Sequence, residues 1–138
     1  SVEEYARQHL FSGLGIEHFF WKKTPSGLAD TQGGLYLSCL DLAKFGVHYL
    51  QKPSWAQQSF FPRMADQDWR YGYLWWLLPR PDCGPDNWVP TALGSGGQRL
   101  FLIPDLELVV AVTGWTWGLQ HSLTAEQMLQ TILPASVK

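Results

Sequence analysis

Gln98-Arg99-Leu100-Phe101-Leu102-Ile103-Pro104-Asp105-Leu106-Glu107-Leu108-Val109-Val110-Ala111-Val112-Thr113 is the stretch from which the fold is read. Two apolar runs flank Pro104-Asp105, a dipeptide suited to a turn, so the segment predicts an antiparallel hairpin with strands over 98–103 and 106–113. Successive side chains alternate across a strand, which sends Val109 and Ala111 one way and Leu108, Val110 and Val112 the other. Both faces of the last strand are then apolar and neither can be left in water. Helices are expected on both sides of the sheet.

Working outward, Tyr71 to Leu78 is rich in aromatics and apolar on both faces; it reads as one strand covered on two sides, closed by Pro79 and Pro81. A long Pro/Gly/Asp loop is expected between it and Gln98. A helix from Ser122 or Thr124 to Leu133 is expected to bury Leu123, Met128, Leu129 and Ile132, with Pro134 beyond its end. Nearer the N-terminus, Ser38 and Asp41 open an apolar period of Leu42, Phe45, Tyr49 and Leu50. Ser38 reads as the N-cap, worth about 1 kcal/mol relative to Ala, with Asp41 as its partner in the first turn. That helix should end near Gln51, before Pro53. Val2 to Phe11 reads as a helix with Val2, Ala6 and Leu10 on its apolar side and Gly13 and Gly15 as stop signals. Glu17 to Thr24 reads as extended, Pro25 to Gly34 as a loop, and 53–67 as a weakly patterned segment with a short helix.

The 138 residues are 46% hydrophobic and 16% charged, the balance of a single folded unit spanning 1–138. Ten basic and twelve acidic residues are scattered along the chain, for a net charge of −2, so no basic stripe offers itself to nucleic acid. No apolar run approaches the roughly eighteen residues a membrane span needs. His9, His18, His48 and His121 lack metal-binding spacing, and no metal or cofactor is expected. Cys39 and Cys83 lack CxxC spacing, and two unpaired thiols are favoured over a disulfide. Ser1-Val2-Glu3-Glu4-Tyr5-Ala6 reads as the inside of a helix and not as a signal, so the chain is expected to begin partway through a larger protein.

A nucleophile elbow around Ser95 would need Gly at 93, where Leu93 stands, and no serine has Lys three residues on. Tyr36-Leu37-Ser38 has the outline of a Tyr-x-Ser element, but Ser38 is better explained as a helix cap. Lys23-Thr24-Pro25 has the outline of K-T-G, but Pro25 lacks the amide that an edge strand needs. Leu93-Gly94-Ser95-Gly96-Gly97-Gln98 remains. Glycines at a strand's entrance let a ligand approach the backbone, and an amide aimed at a developing oxyanion lowers a barrier by roughly 3 kcal/mol. A plain Gly-rich loop before a hairpin has the same appearance.

Three ordered blocks bear on that choice. They are Gly33-Gly34-Leu35-Tyr36-Leu37-Ser38 with Asp41 to Gly46; Tyr71-Gly72-Tyr73 with Trp75-Trp76; and Gly94 to Gln98 with Ile103-Pro104-Asp105 and Leu108-Val109-Val110. Together they resemble the C-terminal half of the β-lactamase-related serine hydrolases, which include class C β-lactamases, penicillin-binding proteins, esterases and 6-aminohexanoate-dimer hydrolases. The resemblance implies an α/β fold, an antiparallel sheet flanked by helices, incomplete without an N-terminal lobe that carries the Ser-x-x-Lys nucleophile and a catalytic Tyr. It implies acyl-enzyme hydrolysis of an ester, amide or peptide-like bond in a small-molecule substrate by the complete protein, the present chain being inactive alone. Ser95 would supply an oxyanion-hole amide through its backbone, and Gly94, Gly96, Gly97 and Gln98 would shape the substrate edge. Ala92 and Leu93 stand where true β-lactamases have the polar K-T pair, which favours an esterase or amidase branch.

Two other readings compete. One is a binding module using Trp75, Trp76, Trp88, Trp115 and Trp117 as an aromatic platform for sugars or apolar ligands, although core packing explains most of these rings. The other is a non-catalytic homologue that keeps the fold as a scaffold.

Overall fold

The computed structural model describes residues 1–66, 69–80, 82–84, 86–117 and 123–136; Gln67, Pro81, His121 and Ser122, which figure in the sequence reading, lie outside them. Helix α1 (Val2–Ala6) is capped by Ser1, whose Oγ accepts the Glu4 N–H at 3.2 Å. It runs on as a widened π turn over Arg7–Phe11 and a 3-10 turn over Ser12–Leu14, ending at Gly15 with φ 62°. The stop is therefore Gly15 and not Gly13, because Gly15 is the one that takes the left-handed conformation. The buried side chain of this segment is Phe11, while Val2, expected on the apolar side, is exposed.

Strands β1 (Phe20–Trp21) and β2 (Leu35–Tyr36) pair antiparallel, and the Trp21 indole donates to the Asp30 carbonyl at 2.8 Å, pinning the loop between them. Helix α2 (Cys39–Leu50) begins at Ser38 as expected, with Ser38 Oγ accepting the Asp41 N–H at 3.1 Å and donating to Asp41 Oδ2 at 2.7 Å. Lys44 Nζ donates to the other Asp41 oxygen at 2.7 Å. Helix α3 (Pro53–Phe60) opens on Pro53, whose fixed φ suits a first turn.

A six-stranded antiparallel meander follows, β3 (Met64–Ala65), β4 (Arg70–Tyr71), β5 (Trp76–Pro79), β6 (Trp88–Gly94), β7 (Gln98–Ile103) and β8 (Leu108–Val112), each strand beside its sequence neighbour. The expected hairpin is β7–β8, paired from Arg99↔Val112 to Ile103↔Leu108. Helix α4 (Ala125–Ser136) closes the chain. Leu77, Leu100, Leu102 and Trp75 pack with Leu42, Phe45 and Tyr49 of α2 on one face, while Leu78, Val89, Phe101 and Ile103 pack with Leu129 and Leu133 of α4 on the other. Mixed helices around an antiparallel sheet, with a helix on each face, match the expected arrangement.

Three expectations are corrected. The single strand over Tyr71–Leu78 is two strands joined by a tight turn, because Leu74 takes φ 62° and a side chain at Gly72 would drive into the Ser59 carbonyl. The expected loop before Gln98 contains a seven-residue strand, β6. Pro90 disguised it; yet β6 pairs with β5 over Trp88–Thr91 and with β7 only from Thr91 to Gly94, so the missing N–H removes no rung toward β7. Helix α4 runs through Pro134 to Ser136, and its buried set is Ala125, Leu129 and Leu133, with Met128 and Ile132 half-buried and Leu123 exposed. Its start is a reciprocal capping box: Thr124 Oγ1 accepts the Gln127 N–H at 3.2 Å and Gln127 Oε1 accepts the Thr124 N–H at 2.9 Å. Cys39 and Cys83 are free and exposed.

Two outcomes follow for α2. A Cβ at Gly46 would sit 2.6 Å from Val109 Cγ1 and 3.1 Å from Leu100 Cδ1, so Gly46→Ala is expected to push α2 off the sheet and lower the urea-unfolding free energy by about 1–3 kcal/mol. The hydrogen bond from Lys44, then that from Ser38, holds the Asp41 carboxyl below its ordinary value of 3.8. A depressed folded-state pKa stabilises above the unfolded value and ceases to do so as pH falls through the folded one. Asp41→Asn should therefore be less stable than the parent at pH 7, and their melting temperatures should converge as pH is lowered below about 4.

Candidate functional site

The two ends of the sheet differ. At one end Arg80, buried after β5, forks onto Asp82 at 3.0 and 3.1 Å and reaches Asp105 at 2.5 and 2.6 Å, tying the loop after β5 to the β7–β8 turn. These bonds, Asp82 first, raise the Arg80 pKa and hold Asp82 below the ordinary carboxylate range. The other end carries the β6–β7 turn, Ser95–Gly97, closed by the Gly94↔Gln98 pair.

At this second end β6 has outrun β5. The β5 ladder stops at Trp76↔Thr91, so Ala92, Leu93 and Gly94 are paired in the sheet on their β7 side alone. The segment expected to face a substrate thus follows strand residues whose second flank no strand pairs among the described residues. Leu93 and Ser95 are exposed, Gly94, Gly96 and Gln98 half-buried, and Gly97 buried.

The glycines of the turn are required by the chain itself. Gly96 (φ 75°) would place a Cβ 2.7 Å from Trp117 Nε1, and Gly97 (φ 97°) would place one 2.9 Å from Thr116 Cγ2. Thr116 N–H donates to the Gly96 carbonyl at 2.9 Å. Gln98 is engaged as well: its Nε2 donates to the Gly114 carbonyl at 2.6 Å and its Oε1 accepts the Gly114 N–H at 3.2 Å. The Gln98 amide thereby imitates a further rung of the β7–β8 ladder and fastens residues 114–117 over the turn. Gly94 differs, since a Cβ there would meet only its own cross-strand partner, Gln98 Cβ, at 2.8 Å.

Arg99, absent from the sequence-level site, sits at the centre of this end. Its Nη1 donates to the Gly94 carbonyl and to the Gln98 carbonyl, both at 2.8 Å. No spacing rule singles it out, because an arginine one residue into a strand reads as solvent-facing until the partner strand is placed.

The five candidate tryptophans separate. Trp75 is 5% exposed and packs edge-on to Phe60, and Trp76 and Trp88 are half-buried, with Arg70 stacked over Trp88 at 4.5 Å. Trp115 and Trp117 are 79% and 60% exposed, 6.4 Å apart between ring centroids, beside Gly96. Hollows of about 490 Å³ beside Ser54, Gln57 and Arg63 and about 370 Å³ beside Leu14, Leu40 and His48 are lined by residues outside the 92–98 segment.

No protein-family model matches the chain, and no curated protein matches it. No helix among the described residues is long and apolar enough to cross a membrane.

Replacing Gln98 by Ala leaves both Gly114 backbone groups without their partner. Chemical denaturation is expected to register a loss of about 1–3 kcal/mol, and limited proteolysis should cut first within residues 114–117.

Proposed function

We propose that this chain is the C-terminal part of a β-lactamase-related serine hydrolase, with a β-lactamase/transpeptidase-like sheet completed by an N-terminal lobe of the same protein. The observation that carries the reading is the open flank of Ala92–Gly94, which leads straight into the Ser95 amide. The three sequence blocks in register support it, as does a sheet with helices on both faces. In this reading a serine of an S-x-x-K helix, upstream of Ser1, attacks a small ester, amide or peptide-like bond and forms an acyl-enzyme. The Ser95 N–H stabilises the oxyanion, Gly94 lets the substrate lie against the strand, and Gly96, Gly97 and Gln98 act by holding residues 114–117 in place. The apolar Ala92-Leu93 pair favours an uncharged ester or amide over a β-lactam carboxylate.

Two experiments on the complete polypeptide test this. A fluorophosphonate probe should label a serine upstream of Ser1; labelling at Ser95, or an upstream sequence without S-x-x-K, sinks the proposal. Ser95→Pro removes the amide at a position where Gly94, extended at φ −112° and ψ 152°, tolerates a following proline. It should lower kcat by roughly 10²–10³-fold, and Ser95→Ala, which keeps the amide, far less.

A second reading is favoured by one observation, the exposed Trp115–Trp117 pair. It makes the chain a carbohydrate or apolar-ligand module, or gives a non-catalytic homologue a residual binding face. Glycan-array binding lost on Trp115→Ala and Trp117→Ala, without any acyl-enzyme, is the outcome expected of it.

A further inference from the structure

The Gly94 carbonyl and the Ser95 N–H belong to one peptide group. Its C–N bond is partly double, so electron density withdrawn at the oxygen is also withdrawn from the nitrogen. Arg99 Nη1 donates a charged hydrogen bond to that oxygen at 2.8 Å and a second to the Gln98 carbonyl across the turn, also at 2.8 Å. A cation on the acceptor end of an amide strengthens the donor at its other end, as in any chain of hydrogen bonds that polarise one another. The same two bonds fix the plane of the peptide, and with it the direction of the Ser95 N–H.

We propose that Arg99 is a positioning residue that polarises and aims the Gly94–Ser95 peptide as an oxyanion-binding group; this rests on the hydrolase reading above. Two further observations describe the state of this guanidinium. Arg99 makes no ion pair among the described residues, in contrast to Arg80 with its two carboxylates, so its charge is not cancelled locally. Its Nε is buried and has no hydrogen-bond partner. Arg70 Nε is buried and unpartnered in the same way, but the Arg70 guanidinium lies over the Trp88 ring, whereas that of Arg99 lies on the peptide it polarises. An uncancelled cation next to a preorganised amide is what a developing negative charge requires.

The test uses the complete polypeptide with p-nitrophenyl acetate as substrate. Arg99→Met, close in length and uncharged, should lower kcat about three- to tenfold with KM within twofold of the parent. Arg99→Lys, which keeps the charge without the fork, should fall between them. Should Arg99→Met fail to fold, Arg99→Ala with added guanidinium, well below denaturing concentration, should regain kcat several-fold, an effect that lost hairpin stability cannot produce. Parent-like kcat in Arg99→Met, or a kcat loss in both Met and Ala variants that only tracks the folded fraction and ignores guanidinium, overturns the role of Arg99 while leaving the hydrolase reading intact. Absence of any fluorophosphonate adduct in the parent overturns both.

Discussion

Strand β7 must bury both of its faces, and the rest of the molecule is arranged around that requirement. Leu100, Phe101, Leu102 and Ile103 are each at most 1% exposed, two on either side of the sheet. Covering one face calls for α2, which comes close enough only because residue 46 is glycine against Val109. Covering the other calls for α4, which the Thr124–Gln127 box starts at the right place. Burying four such side chains contributes roughly 6–12 kcal/mol of apolar driving force.

With the centre of the sheet committed to packing, chemistry is confined to its ends. At one end Arg80 is held between Asp82 and Asp105, a cluster that ties two turns together and in which carboxylates outnumber the cation. The other has the opposite character. There β6 changes partners at Thr91, so its last three residues have a flank that no strand pairs among the described residues, and a guanidinium rests on backbone carbonyls without an ion pair among them. A strand that ends unpaired on one side, a tight glycine turn and a local positive charge are the features on which the proposed oxyanion site rests.

The turn also explains how one glycine-rich motif can have two duties. Gly96 and Gly97 are small because Thr116 and Trp117 lie on them, whereas Gly94 meets only its hairpin partner. Residues 114–117 are held by Gln98 and Thr116, and this fixing keeps Trp115 and Trp117 at the surface beside the turn. Aromatic surface of that extent next to an open strand end is consistent with a ligand face or with a neighbouring lobe resting there.

The sequence by itself determined the parts whose signals are local. Alternation in 108–112 called for two covering helices, Ser38 and Asp41 marked the start of α2, and the turn at Pro104-Asp105 set the β7–β8 hairpin; each depends on residues within a few positions of one another. The placement of Gly94–Gln98 at a strand's entrance was legible in the same way. Only the tertiary structure decided what depends on distant partners. Strand β6 was hidden because Pro90 argues against a strand until its ladder is seen to change sides, and the Tyr71–Leu78 run divides because Gly72 meets Ser59 from another element. Gln98 and Arg99 owe their roles to Gly114, sixteen residues away, and to the carbonyl across the hairpin. Side-chain hydrogen bonds of that kind are set by register, and register is fixed only when both strands are packed.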